Sequence, residues 1–290
     1  MSETAPSPME PTITERDMLG AMEVLAGTAA EPEPLIVLTD EEIMALDGLS
    51  ALEILGSPYL SQDAVDAETS AASALRSLVA RGMVRTGSAQ REEEGEAVSG
   101  GADPSQRPVQ LDRRLAGVVT LRRIPEAMVT SERTLEGGTT TLAHYFFPRS
   151  GVLEEYITVD GFHHFSVPHL DAVAARIQRF ADPFEVADAD GEPQSMALQE
   201  AVASFDVDDT RALTVLTAVA DEGGRRATIA ATSAQVQVLD NGALDSEPSP
   251  TRAVQISAVS PETLLAVIDT MLPRAEADGE DEGEDATAQS

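Results

Sequence analysis

Residues 161–180 of the chain, GFHHFSVPHLDAVAARIQRF, predict a strand from Gly161 to Val167 followed by a helix from Pro168 to Phe180. The proline stands where the helix begins, a position at which its missing N–H is not needed. Residues 252–271, RAVQISAVSPETLLAVIDTM, repeat this order with a Ser-Pro boundary. The chain therefore contains the same strand-to-helix unit twice.

Further strands complete each unit. In the first copy, the preceding predicted strands are Ala127–Leu135, Thr139–Phe147 and Gly151–Val159. In the second copy, they are Ala212–Val219, Arg226–Thr232 and Ala234–Leu239. The strand Arg252–Ala258 and the helix Ser260–Met271 then complete the second copy. Each first hairpin turns at a glycine pair, Gly137-Gly138 or Gly223-Gly224. We predict an α+β fold with two pseudo-duplicated antiparallel sheet-plus-helix units, 109–183 and 210–273. The alternative is a coincidence of common α+β punctuation.

A small helical block, 35–86, precedes these units. Thr39 and Glu42 have the spacing of a capping box at the start of one helix. A second helix is predicted from Asp66 to Ala80 and ends at Arg81-Gly82, before a short strand at 83–85. This order is typical of a winged-helix-like block.

The remaining segments are rich in acids, glycine and proline. We interpret 1–34 as a disordered acidic arm with a helical hint at Met18–Leu25, and 274–290 as a disordered acidic tail. Residues 87–108 are predicted to form an acidic flexible linker or insertion. Residues 184–209 are an acidic connection with at most a short helix near Met196–Ala203.

Charge and composition exclude several classes of function. The 290 residues carry 51 acids against 19 bases, a net charge of −32, and contain no cysteine. Such a field repels nucleic acid and anionic membranes, so we expect neither as a partner. No stretch approaches the roughly 20 apolar residues of a membrane span, and a cytoplasmic location is expected. Every base is arginine, which indicates a GC-rich source such as an actinobacterium; a halophilic origin is another explanation of the acidity.

No residue pattern indicates catalysis or a cofactor. His163, His164 and His169 are close in sequence, but neighbours on a strand face opposite sides, so only one of the first two could join His169 in a metal site. The pairs Glu154-Glu155 and Asp208-Asp209 are interpreted as solvated surface acids. No nucleophile elbow, phosphate-binding glycine loop or dinucleotide fingerprint is present. We predict a non-enzyme without metal or cofactor; an enzyme of unrecognised type is the third hypothesis.

A winged-helix transcriptional regulator is the second hypothesis. Its candidate recognition helix offers only Arg76 as a base, beside Asp63, Asp66 and Glu68. A DNA reader needs cations there to neutralise phosphates. The composition therefore favours protein contacts over DNA contacts.

Aromatic residues concentrate between Tyr145 and Phe165. This short region holds six of the ten aromatic side chains, and alternation places them on both faces of a sheet. One face is explained by core packing, and the other by either a partner surface or the junction of the two repeats. The predicted partner-binding residues are Tyr145, Phe147, Tyr156, Phe162 and Phe165.

Three segments together resemble a known family. LTDEEIMAL at 38–46, SALRSLVARGMV at 73–84 and PETLLAVIDTMLP at 261–273, with the two sheet-plus-helix units between them, look like the EspG-type secretion-associated proteins of actinobacteria. The resemblance implies a cytosolic chaperone or adaptor of type VII secretion that binds a helical secreted substrate without cofactor or catalytic residues. It covers 35–273 in layout. Client identity and oligomeric state do not follow from it.

Overall fold

The computed structural model describes residues 13–86, 109–205, 209–221, 223–244 and 249–273. Twelve strands occur in these ranges: β1 Ile36–Thr39, β2 Val84–Thr86, β3 Val109–Leu111, β4 Ala127–Leu135, β5 Gly138–Phe147, β6 Gly151–Ile157, β7 Phe162–Ser166, β8 Gln194–Ala197, β9 Ala212–Ala220, β10 Gly223–Ala231, β11 Val236–Ala243 and β12 Ala253–Val259. Ten form one antiparallel sheet in the order β1-β7-β6-β5-β4-β9-β10-β11-β12-β8, and β2 pairs with β3 in a separate ribbon.

Helices cover both faces of this sheet. The α-helices in the described ranges are α1 Glu15–Leu25, α2 Asp40–Asp47, α3 Ala67–Ala80, α4 Arg113–Arg123, α5 Leu170–Ala181, α6 Leu198–Ser204 and α7 Pro261–Met271, with a 3₁₀ turn at Leu49–Leu52. None of these helices is long and apolar enough to cross a membrane.

The pseudo-duplication is visible in the strand order. Strands β4–β7 followed by α5 and strands β9–β12 followed by α7 are two consecutive meanders that meet where β4 pairs with β9. Corresponding strands start 85 residues apart, at Ala127 and Ala212 and again at Gly138 and Gly223. The predicted α+β fold is confirmed, and a pseudo-two-fold axis passes between β4 and β9.

Each unit also contains a strand that the sequence interpretation missed. Strand β1 pairs with β7 at one end of the sheet, and β8 pairs with β12 at the other. Each is followed at once by a helix, α2 or α6, and a glutamate of that helix accepts the N–H of the residue before it: Glu42 from Thr39 and Glu200 from Ala197. The segment 184–209 is therefore more than a connection, and the block 35–86 begins with a strand of the main sheet.

The two faces of the sheet pack against different helices. Helices α5 and α7 lie on one face, where Val173 and Ile177 join Leu264 and Ile268 above the buried strand residues. On the opposite face, α1 to α4 cover the first unit, and α6 covers the end of the second. The order α2, 3₁₀ turn, α3 and ribbon β2–β3 packs onto this face through Ile43, Leu52 and Leu78.

Helix α1 corrects the prediction of a disordered arm at 1–34. Thr14 and Asp17 form a capping box, and Ala21 and Val24 are buried against α4. The helices approach closely at Gly20 and Gly117, where a Cβ on Gly20 would lie 2.6 Å from the Arg113 carbonyl oxygen. The predicted disorder at 1–12 and 274–290 and the predicted linker at 87–108 lie outside the described residues.

Gly117→Ala should destabilise the fold. The new Cβ would collide with the Gly20 carbonyl group and with Val24, so α1 would have to move away from α4. Overpacking of this kind costs about 1–3 kcal/mol, which urea unfolding would measure. Gly137→Ala, at a position with no atom near the new Cβ, is the control and should change stability much less. Equal effects would contradict the close helix contact.

Candidate functional site

Glu154 and Glu155 are the most unusual residues of the fold. They are consecutive on β6, so their side chains leave opposite faces of the sheet, and they are only 4% and 0% exposed. The interpretation of this pair as solvated surface acids is wrong. Each carboxylate is instead the centre of a buried network that fastens a helical layer to the sheet.

The Glu155 network faces α4 and the helical block. One carboxylate oxygen accepts from Arg122 Nε at 2.8 Å and from the Tyr145 hydroxyl at 2.5 Å. The other lies 2.6 Å from His163 Nδ1, whose Nε2 lies 2.8 Å from Asp40 Oδ1. Arg122 also donates to the Ala51 carbonyl oxygen. The network thus connects β5, β6 and β7 to α4 and α2.

Asp40 carries the network into the helical block. Its second oxygen accepts the backbone N–H groups of Tyr59, at 2.7 Å, and Leu60, at 3.2 Å. Its own N–H donates to the Gly161 carbonyl oxygen, and Gly161 has a φ of +76° in the turn before β7. A Cβ there would lie 2.7 Å from the Asp40 carboxylate, so glycine is required by both backbone conformation and space.

The contacts of His163 favour its charged form. Both ring nitrogens face carboxylate oxygens, and an ionised carboxylate only accepts hydrogen bonds, so with Asp40 and Glu155 ionised both nitrogens donate and the ring is an imidazolium. Burial lowers the pKa of His163, but the hydrogen bonds to Asp40 and Glu155 raise it above its ordinary value. Burial raises the pKa of Glu155, but Arg122 and His163 lower it to about 2.

The Glu154 network faces α5. Arg176 of α5 donates from Nε at 2.6 Å and from Nη2 at 2.5 Å to the two oxygens of Glu154. The Ser166 hydroxyl and His144 Nε2 complete the shell at 2.9 and 3.0 Å. Burial raises the pKa of Glu154, but Arg176 and His144 together hold it well below its ordinary value. A bidentate ion pair of this kind fixes the orientation of α5 on the sheet.

Both networks are built from protein groups that bond to one another. The carboxylates of Glu154, Glu155 and Asp40 have their hydrogen-bonding capacity directed at protein groups. The three histidines that are close in sequence have different surroundings: His163 is in the Glu155 network, His164 contacts the Tyr156 ring, and His169 precedes α5. In the described part of the chain, no group of three or more metal-ligating side chains has the arrangement of a metal site.

Most of the predicted partner-binding aromatic residues are in the core. Tyr145, Phe147 and Phe165 are 3%, 8% and 0% exposed, which corrects their assignment as contact residues. Their face of the sheet is covered by α1 to α4, a layer that sequence periodicity did not place there. Tyr156 is half-buried beside Phe180, and Phe162 is exposed at 44%. For these two the partner role stays a prediction.

An open sheet face lies where the two units meet, on the side opposite α5 and α7. We call it the central sheet face; its residues are Met128, Thr130, Glu132, Thr134, Leu213, Val215, Thr217, Val219, Arg226 and Thr228. Met128 packs against the first-unit core and Leu213 against the core under α6, so the face lies between these two layers. Val219 is 46% exposed, and most of the others are half-exposed.

Helix α3 offers little for binding DNA. It is the predicted recognition helix, and Arg76 is exposed on it, while Asp66 caps its start and Glu68 lies in its first turn. An acidic helix start of this kind repels phosphate groups.

The chain was compared with known proteins. It is similar to a solved structure from Mycobacterium tuberculosis, the type VII secretion system chaperone EspG5 in complex with the PE25–PPE41 dimer, with 12% sequence identity and a TM-score of 0.45 over 83% of this chain and 98% of that chain. This is a likeness of layout, to the same kind of protein that the sequence resembles. No family model and no curated protein matches.

Glu155→Gln should strongly destabilise the protein. The amide leaves Arg122 and the imidazolium of His163 buried without the carboxylate that both contact. Removing one partner of a buried pair costs about 3–5 kcal/mol, measurable by denaturant unfolding. Glu132→Gln, on β4 of the same sheet but exposed, should change stability by less than about 0.5 kcal/mol. A loss below 1 kcal/mol for Glu155→Gln would refute the network.

The pH dependence of stability should reflect both groups of the Glu155 network. The contribution of Glu155 is present above its ordinary pKa of 4.5 and is lost as the pH falls towards about 2. The contribution of His163 is fully present below 6.5 and is lost as the pH rises through its raised pKa. The network should therefore stabilise most between pH 4.5 and 6.5. Unfolding at several pH values should show a steeper alkaline decline in the native protein than in His163→Gln; parallel declines would contradict the imidazolium.

Proposed function

We propose that this chain is a noncatalytic protein-binding module that takes one helix of its partner on the central sheet face. The observation that supports the proposal is a strip of sheet with exposed apolar side chains beside polar ones, open to solvent between two helical layers. Met128 pairs with Val219 across β4 and β9, so their side chains share this face. Exposed apolar side chains between two covered parts of a sheet mark a candidate interaction site.

The dimensions and chemistry of the face fit a helix. Strands β4, β9 and β10 lie roughly 4.8 Å apart, so three strands present a strip comparable to the roughly 10–12 Å diameter of an α-helix. Val215 and Val219 supply apolar contacts, and Thr130, Thr217 and Thr228 supply hydroxyl groups beside them. Arg226 donates to the Thr217 hydroxyl at one side of the strip. An amphipathic helix with apolar residues along one stripe is the partner that this surface suits.

The concrete form of the proposal is a cytosolic chaperone or adaptor for a helical substrate of type VII secretion. The sequence resemblance supports it through the segments at 38–46, 73–84 and 261–273. A chaperone of this kind would keep the apolar stripe of its client covered until secretion. Phe162 and Tyr156, on a different part of the surface, are the remaining aromatic candidates for a second contact.

Val219→Asp should abolish client capture without unfolding the protein. The exposed position tolerates a charge, but a carboxylate in the middle of an apolar helix contact would be desolvated without a partner. The measurement is affinity purification of the tagged protein from its native cells, followed by mass spectrometry and by binding of the purified client. We expect a stoichiometric helical secreted protein, bound at least tenfold more weakly by Val219→Asp.

Leu265→Asp is the matched control. Leu265 is also exposed, at 37%, but lies on α7 at the other face of the sheet. It should leave client affinity unchanged. Equal losses in both variants, or capture of RNA polymerase components or nucleic acid instead of a helical protein, would contradict the proposal.

A further inference from the structure

A second surface feature is positively charged, in contrast to the rest of this acidic chain. A cleft beside α5 is lined by Arg133, Arg176 and Arg179, together with Glu154 and with apolar side chains that include Tyr156 and Phe180. Arg176 faces Glu154 and also lies 4.0 Å from Glu31, so the three guanidinium groups meet two carboxylates and leave one surplus positive charge. A chain with a net charge of −32 thus concentrates cations at one place.

Arg133 is the residue of this cleft whose guanidinium group is partly buried without a counter-ion in the described ranges. It is half-buried on β4 and stacks on the Phe180 ring, with its central carbon 4.1 Å from the ring centroid. Nη1 donates to the Phe180 carbonyl oxygen at 2.9 Å, Nη2 lies 3.5 Å from the Thr140 hydroxyl, and the buried Nε has no acceptor. Among the described residues, no carboxylate lies within ion-pairing distance of Arg133.

The arginines of the two buried networks each have a carboxylate partner, which Arg133 lacks among the described residues. Arg122 has Glu155, and Arg176 has Glu154. A desolvated cation without a counter-ion costs free energy, and burial lowers the pKa of Arg133 for that reason. Arg179, exposed on α5, likewise has no acid partner in the described part of the chain. The cleft therefore has two guanidinium groups available for a carboxylate, the anion that matches their planar donors.

We propose that this cleft binds the acidic C-terminal segment of the same chain, residues 274–290. The segment holds seven acids and one arginine, so its charge is complementary to the cleft. It starts after Pro273, which lines a second cavity together with His169 and Leu170 at the beginning of α5. Arg176 and Arg179 lie on that same helix, within about 15 Å of its beginning at 1.5 Å per residue.

Reach and electrostatics both favour this occupant over a separate acidic molecule. Seventeen residues span up to roughly 56 Å when extended, far more than the length of α5. The field of the whole chain repels a separate anionic partner, whereas a tethered segment has an effective concentration in the millimolar range. This inference does not depend on the proposed function, because the cleft and the central sheet face lie on opposite sides of the sheet.

The absence of cysteine allows a direct test in the full chain. A nitroxide on Ala286→Cys should broaden the amide signals of Tyr156, His164 and Arg179 in a ¹⁵N-labelled sample, with peak intensities reduced by more than half. The broadening should disappear in the double variant Arg133→Gln, Arg179→Gln, and in about 1 M salt, where the Debye length is roughly 3 Å. Arg225→Gln with Arg226→Gln removes the same charge on β10 and should leave the broadening unchanged.

A second variant separates docking from folding. Replacing the acids of the segment by amides leaves every described residue intact and should also abolish the broadening; the positions are Glu276, Asp278, Glu280, Asp281, Glu282, Glu284 and Asp285. No broadening at the cleft in the native sequence, or equal broadening in both arginine double variants, would overturn the proposal. Inorganic phosphate that shifts the cleft signals while the nitroxide does not would identify a phosphate site and exclude the segment as its occupant.

Discussion

The position of each helical layer depends on two consecutive carboxylates on one strand. Because successive side chains of a strand leave opposite faces, Glu154 reaches Arg176 of α5 and Glu155 reaches Arg122 of α4. Buried charges of this kind are poor sources of net stability compared with apolar residues, but they tolerate few alternative arrangements. Apolar contacts are compatible with several positions of a helix on a sheet. A bidentate ion pair, or an imidazolium that is hydrogen-bonded at both nitrogens, is compatible with only one.

Equivalent strand pairs of the two units carry different kinds of side chain. His144 opposes Glu154 across β5 and β6, and at the corresponding positions of the second unit Ile229 opposes Val238. Next to them, Glu155 corresponds to Leu239, which packs under α6. The charged version is in the unit that carries four helices, α1 to α4, on the Glu155 face, and the apolar version is in the unit that carries only α6 there. The Glu155 network therefore accompanies the added layer, and the sheet of the second unit forms without either network.

Strand and helix positions could be predicted because local patterns determine them. Glycine pairs, Ser-Pro boundaries and alternation placed β4 to β7, β9 to β12, α5 and α7 within a few residues. The burial of Glu154 and Glu155 could not be predicted, because their arginine partners lie on separate helices: Arg122 precedes Glu155 by 33 residues and Arg176 follows Glu154 by 22. Strands β1 and β8 are four residues long and have no alternation to detect. The aromatic residues were misassigned because the layer that covers them, α1 to α4, comes from separate segments between residues 15 and 123.

The two ends of the large sheet have a consequence for how the protein behaves in concentrated solution. An open sheet presents its last strands to other copies, and long flat edges template polymerisation. Here β1 and β8 are the last strands at either end, each only four residues long and each followed at once by a helix. A second copy would find about four residues of backbone to pair with, against strong like-charge repulsion. A ten-stranded sheet can thus remain colloidally stable at high concentration.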